Sequence, residues 1–373
     1  MRHRLLPSAV WAVLCLGLLV SEARAGVDSD SGLETVFQFS LAPAGLTASL
    51  DGNWVLGVNQ NEKPRLRAVQ ISKGGEVKPF PNEKMSTGDA AADTPLDAIE
   101  GLQTDKEGVI WMLDNGRRSE VPPKIVAWSP DRQRVVKVFN LSPPAVVLGS
   151  YLSDIIVDPL FPFIYMSDPA NGSNAALIVL DRTSGIARRV LQGHPSVVPD
   201  LHVPLRTGSN GLETRRLDGT ATLPHCGVRP LALDRKSAWL YYTAVQSHTV
   251  YRVPMELLRN PDTASEKLAA AVVPYAEKPA CASLVLDSKG NLYIGDIEGR
   301  SIGVIEAGPK PYRVLASDPR LLWPDDLCFG IDGNLYFFSR TQPAPPINRD
   351  KTTMMVEHSM FRLTPLAPGK PGD

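Results

Sequence analysis

The chain of 373 residues is short of several things that would have placed it quickly. It has no excess of either charge: 39 Lys and Arg face 40 Asp and Glu. A near-neutral surface gives nucleic acid or anionic lipid nothing to gather on. It has no G-x-S-x-G, no H-E-x-x-H, no phosphate loop and no paired C-x-x-C, so the commonest hydrolytic, zinc and nucleotide chemistries have no local signature. Its six histidines, His3, His194, His202, His225, His248 and His358, are scattered and form no close-spaced ligand pair. Beyond the first 25 residues it has no apolar run long enough to cross a bilayer. Proline (33) and glycine (29) are by contrast abundant, which excludes long helices and favours many short strands joined by turns.

The N-terminus reads as an address. Arg2 and Arg4 precede an apolar run from Leu5 to Val20, and Ala23-Arg24-Ala25 follows. That is a secretory signal with cleavage expected after Ala25, because the run is short for a membrane anchor. The mature chain, residues 26–373, is then expected to be a single domain, secreted or periplasmic, with no membrane attachment. Cys226, Cys281 and Cys328 remain after processing. An oxidising compartment permits one disulfide among them, and three pairings are open.

One phrase recurs. "SLDGNWVLG" around Gly52, "DKEGVIWMLD" around Gly108, "DSKGNLYIGD" around Gly290 and "GIDGNLYFF" around Gly333 share a polar turn, a glycine and a β-branched or aromatic run. Two copies lack the glycine: "DPLFPFIYMSD", with Phe161 at that place, and "DRKSAWLYYTA", with Ser237. The spacings are 56, 53, 76, 53 and 43 residues. Glycine supplies positive φ and aspartate bonds its own backbone just beyond, so each copy predicts a hairpin between two strands. Further strand-like runs follow most copies, giving about four strands per unit. Units of this kind repeating at this period predict an all-β, six-bladed β-propeller of four-stranded antiparallel blades. "ETVFQFS" (34–40) and "HSMFRLTP" (358–365) lie outside the six hairpins and are expected to pair and close the ring. The long gap holds a polar insertion at about 193–227, and residues 255–272 predict one or two helical turns.

Six stretches, in order, resemble the major royal jelly protein/yellow family in its bacterial, secreted branch. They are "GVIWMLDNG" (108–116), "SYLSDIIVD" (150–158), "RRVLQGHPSV" (188–197), "AWLYYTAVQSHTVYRVPMELLR" (238–259), "KGNLYIGDIEGRSIGV" (289–304) and "WPDDLCFGIDGNLYFFS" (323–339). The resemblance implies the same six-bladed fold. It implies a less uniform function: some members are secreted storage proteins, some bind biogenic amines in the central cavity, and some are linked to dopachrome conversion. A more distant resemblance, to gluconolactonase-like propellers, implies lactone hydrolysis with a divalent metal at the hub.

The repeat itself gives the site candidates. Eight residues before each anchor stand Ala44, Glu100, Ser153, Arg229, Ala282 and Asp325; seven before stand Gly45, Gly101, Asp154, Pro230, Ser283 and Asp326. Equivalent positions on inner strands form a ring, so Glu100, Asp154, Arg229, Asp325 and Asp326 are expected to converge at one mouth of the channel. Several carboxylates near one axis repel unless neutralised. A Ca²⁺ or other divalent cation would serve; so would the Arg229 guanidinium, which could also grip a substrate carboxylate. The plainer alternative is acids bonded to neighbouring backbone amides. Where the relatives carry Asp-Gly in blades four and five, this chain has Arg229-Pro230 and Ala282-Ser283, which counts against a metal-dependent lactone hydrolase. Trp323 is expected to form an aromatic wall beside Asp325 and Asp326. The leading expectation is a pocket for a small organic molecule (an amine, catechol, sugar or lactone). The alternatives are an enzyme in the same pocket, either an isomerase of the dopachrome type or a lactone hydrolase, and a protein-binding platform on the 193–227 insertion.

Overall fold

A computed structural model describes residues 20–22, 32–39, 41–60, 63–170, 172–207, 210–211, 214–215, 221–222, 227–308, 310–340 and 358–372. It is a six-bladed β-propeller of antiparallel four-stranded blades. The innermost strands are Pro43–Ala48, Ile99–Thr104, Asp154–Val157, Val228–Leu233, Cys281–Leu286 and Trp323–Phe329, for blades 1 to 6. Each neighbours the next around the hub, and the sixth returns to the first.

The expected hairpins join first and second strands. In blade 2, Gly108 (φ 80°) donates its N–H to the Asp105 carbonyl at 2.9 Å. In blade 4, Ser237 takes the same slot with φ 50°. The strain of a non-glycine there is offset locally: its hydroxyl donates to Asp158 Oδ1 of blade 3 at 2.7 Å. Blade 3 departs from the repeat, since Phe161 is not left-handed. Its turn is held instead by Asp158 Oδ1, which accepts the N–H groups of Leu160 and Phe161 at 3.0 and 3.1 Å.

Closure is as expected. Leu33–Phe39 pairs with His358–Leu363, the third strand of blade 6, and becomes that blade's outer strand. Val20–Glu22, within the expected signal, pairs on its far side; most of the signal, including the cleavage point at Ala25, lies outside the described residues. The core is divided by interface. Six clusters of buried apolar side chains each fill the gap between two adjacent blades, for example Phe37, Leu46, Trp54 and Phe338 between blades 6 and 1. Burial between sheets explains why second strands such as Trp54–Val58 and Leu292–Asp296 are buried throughout rather than alternating. The expected helical turns are Met255–Arg259 and Ser265–Ala270.

The insertion leaves blade 3 on the face opposite the hairpin turns. Its first part is stitched down: Asp200 N–H donates to the Gln246 carbonyl at 2.7 Å, and Thr207 Oγ1 donates to the Leu322 carbonyl at 2.8 Å. The side chains of 208–226, where a protein contact was expected, lie outside the described residues. So does Cys226; Cys281 and Cys328 carry free thiols.

Candidate functional site at the hub

Strand starts control this site. In blades 1, 2, 4, 5 and 6 the pairing of first and second strands slips by a bulge just where the inner strand begins, at Pro43/Gly45, Ile99/Gly101, Val228/Leu231, Cys281/Leu284 and Asp325/Cys328. A bulge breaks the two-residue alternation and re-aims side chains. Here it sets two successive acids, Asp325 and Asp326, toward the hub from one strand.

The ring places all five expected charged residues together, from four blades. Arg229 of blade 4 pairs with Asp325 Oδ2 of blade 6 at 2.8 Å, and its Nε donates to Ser153 Oγ of blade 3 at 3.0 Å. Glu100 of blade 2 accepts from the Tyr151 hydroxyl at 3.0 Å. Asp154 accepts the N–H of Ile155 at 2.8 Å and that of Leu231, across the blade interface, at 2.9 Å. Both carboxylate oxygens of Asp154 are thus bonded to backbone amides. Asp326 is different. Its backbone is left-handed at φ 49°, and its Oδ2 is shut from solvent with no hydrogen-bond partner among the described residues. Left-handed geometry and a stranded carboxylate oxygen both cost free energy. They persist here because the bulged ring fixes the backbone.

Burial moves the acids upward. Glu100 is pushed up to about 7, burial outweighing Arg229 and the Tyr151 bond. Asp154 rises to about 6, burial outweighing its two amide bonds. Asp325 is raised by burial, against the pull of Arg229. Asp326 is raised well above the carboxylate range, by burial and then by Asp325. Burial would lower Arg229, but Asp325, Asp326 and Glu100 together hold it above its ordinary value. The hub thus keeps one firm ion pair, Arg229 with Asp325, beside acids poised to hold protons near neutrality.

Behind this layer runs a channel cavity of about 130 Å³. Asp154, Ser283 and Asp326 mark its head, Leu46, Leu102 and Leu231 are among its apolar walls, and Lys370, Pro371 and Gly372 reach its other end. Of the expected residues only Asp154 and Asp326 line it. Glu100, Arg229 and Asp325 form the polar layer alongside. Trp323 stands beside Asp325 but does not line this cavity. Its ring packs against the cluster of Val245, Ala282 and Ile297, and its Nε1 donates to Asp325 at 3.1 Å. A large side chain at the first residue of the strand lies above the bulge and leans toward blades 4 and 5. Tyr151 and the C-terminal residues in the channel were not anticipated. Tyr151 had a usable signal, since it lies two residues ahead of Ser153 in the ring register; the C-terminal stretch had none.

No three His, Cys, Asp or Glu side chains among the described residues are grouped to hold a metal ion. With Asp325 taken by Arg229 and Asp154 by amides, the donor set does not fit a divalent cation. No described helix is long and apolar enough to cross a membrane.

Against known proteins, the family model described as Major royal jelly protein matches residues 99–347. No curated protein matches the chain by sequence. Among solved structures, a luciferin-regenerating enzyme is similar with TM-score 0.56 and 11% identity, over 95% of this chain and 97% of that one. A gluconolactonase from Xanthomonas campestris is similar with TM-score 0.51 and 12% identity, over 90% of each chain. A calcium-binding protein, regucalcin, from Agrobacterium tumefaciens gives TM-score 0.51 and 9% identity, over 89% and 94%. At such identities the likeness is one of fold.

Proposed function

We propose a function from one premise, that this chain belongs to the major royal jelly protein family, and from one observation, the stranded buried carboxylate oxygen of Asp326. The protein is exported and binds a small organic molecule at the hub, with Asp326 as the group that meets it. An unpartnered buried oxygen in a strained residue is retained against stability, and a ligand that donates a hydrogen bond or carries an ammonium group would satisfy it. The cavity is close in size to the ~150 Å³ that accepts a benzene ring, which fits a single-ring amine, catechol, sugar or lactone. Arg229, Asp325 and Glu100 set the field at the head of the cavity, and Asp154 contributes a wall. Trp323 supports Asp325 rather than touching the ligand.

A second reading, an acid–base enzyme in the same pocket, is favoured by one feature. Asp154 lines the cavity with its acidity shifted to about 6, a value suited to proton transfer near neutrality. Isomerisation of a dopachrome-like substrate fits this better than lactone hydrolysis through a divalent ion, since the gluconolactonase and regucalcin likenesses are not matched by a donor cluster among the described residues.

The test is a thermal-shift screen of single-ring amines, catechols, sugars and lactones, run with and without chelator. Hits should be indifferent to chelator and lost in Asp326→Asn. A hit that survives Asp326→Asn, or one that needs a divalent ion, would remove Asp326 from the role given to it. Product formation by any hit, abolished in Asp154→Asn, would turn the binding reading into the enzymatic one.

A further inference from the structure

The two mouths of the channel are closed by different means. On the acid side, the Arg229–Asp325 pair and the Arg229–Ser153 bond tie blades 3, 4 and 6 across the axis, with Leu205 and Thr207 of the insertion packed beyond. On the hairpin side the chain itself crosses the opening. After the strand His358–Leu363, the Leu366 N–H donates to the Tyr293 hydroxyl at 2.7 Å, and the Pro368 carbonyl accepts from Ser288 N–H of the blade 5 hairpin at 3.1 Å. Gly369 lies flat on the Phe329 ring, where a Cβ would come within 2.3 Å of a ring carbon. Lys370, Pro371 and Gly372 then enter the channel. Gly372 (φ 82°) rests on the blade 2 hairpin, where a Cβ would come within 2.5 Å of the Lys106 backbone nitrogen.

We propose that residues 370–372 are a detachable floor of the channel, and that small molecules reach the hub from this side. The anchors at 366–369 are several and include the buried Ala367. Beyond Gly369 no hydrogen bond or ion pair to the segment is seen among the described residues and the Gly372 contact with blade 2 holds it, while Lys370 is exposed and Pro371 and Gly372 are half-buried. Among the described residues its release breaks no ion pair and unstacks no blade, whereas opening the other mouth would part a buried ion pair. The floor stands on geometry alone; that a ligand uses it rests on the reading given above.

Cys328 makes the floor testable without any ligand. It lines the channel and is half-buried, while Cys281, between blades 4 and 5, is fully buried. A small uncharged alkylating reagent, iodoacetamide, is followed by site-resolved mass spectrometry in three full-fold proteins: the whole chain, a chain ending at Gly369, and Gly372→Val. The valine is refused by both the positive φ and the blade 2 backbone. Labelling of Cys328 should rise about tenfold or more in both variants, with Cys281 unchanged, because removing the floor admits both the reagent and the water whose exclusion pushes the Cys328 thiol up. An unchanged Cys328 rate in both variants would overturn the floor. So would parallel labelling of Cys281, which would make the segment a brace of the fold. If Cys328 opens as expected but no screened molecule binds any of the three proteins, the floor stands and the ligand reading fails. If a molecule binds, its association should be faster in both variants; equal rates would place its path at the other mouth.

Discussion

At the hairpin end of blade 5, Asp287 accepts four side-chain hydrogen bonds, from Lys289 N, Asn291 N, Asn291 Nδ2 and Tyr293 Oη, at 2.7–3.0 Å. At the opposite end of the neighbouring inner strand, Asp326 keeps an oxygen buried with no partner among the described residues. The contrast extends around the ring. Asp105 accepts from two backbone amides and the Trp111 indole, Asp234 from three amides, and Asp332 from Asn334 and Tyr336. Against the pull of burial, the Asn334 side chain and amide and the Tyr336 hydroxyl hold the pKa of Asp332 below its ordinary value, while burial and a like charge hold that of Asp326 well above it. Aspartate is saturated at the turn mouth, while at the other mouth Asp154 and Asp325 have partners and Asp326 keeps one oxygen without any among the described residues. A saturated acid specifies a turn. A stranded one costs stability, and the hub retains it.

The comparison can be broken in several places. The largest effect should come from Arg229→Met, which strands Asp325 in a buried site; removing one partner of such a pair typically costs about 3–5 kcal/mol, read by urea unfolding. Adding Asp325→Leu should recover most of that loss, and a double variant no better than the single would show that the pair is not the cause. Next comes Asp287→Ala at the saturated mouth. It leaves the blade 5 turn and the Tyr293 hydroxyl without their acceptor, for a loss of roughly 2–4 kcal/mol. A loss below about 0.5 kcal/mol would mean the turn acids are ornamental.

A smaller effect sharpens the contrast through pH. Glu100 and Asp154 have folded values of about 7 and about 6, above their ordinary carboxylate range. The folded state therefore binds more protons than the unfolded one. Stability from this source is complete below the ordinary range and is lost as pH rises through about 6 to 7. Glu100→Gln should flatten the decline between about pH 5.5 and pH 8, by roughly 1–3 kcal/mol across that interval. An unaltered slope would put Glu100 in a wetter site than the one described.

Much of this was legible in the sequence, for a physical reason. Glycine or aspartate at a tight turn is a local requirement, so six hairpins announce themselves one at a time, and a ring register follows from counting back from Gly108 or Gly290. The convergence of Glu100, Asp154, Arg229, Asp325 and Asp326 needed only that register. Spacing could not show the bulges at the strand starts, because a bulge changes pairing without changing residue order. That is why Trp323 turned toward Val245 and Ile297 instead of the cavity, and why the left-handed turn at Asp326 was invisible. The stretch from Leu366 to Gly372 has no periodicity at all. Its place is set by shape, a glycine against Phe329 and another against Lys106, and shape is not written in residue type.

The most direct measurement is the unfolding free energy of Asp326→Asn beside that of the native chain, with each then offered the best molecule from the screen. Asparagine tolerates left-handed backbone and matches the shape of the protonated acid that burial favours at Asp326, while it replaces one carboxyl oxygen with an amide donor, so the variant should be as stable as the native protein or more so, and should bind nothing. An equal or greater fall in stability than Asp287→Ala, or undiminished binding, would mean that Asp326 holds up the fold like the acids at the other mouth, and the hub would lose its claim to be a site.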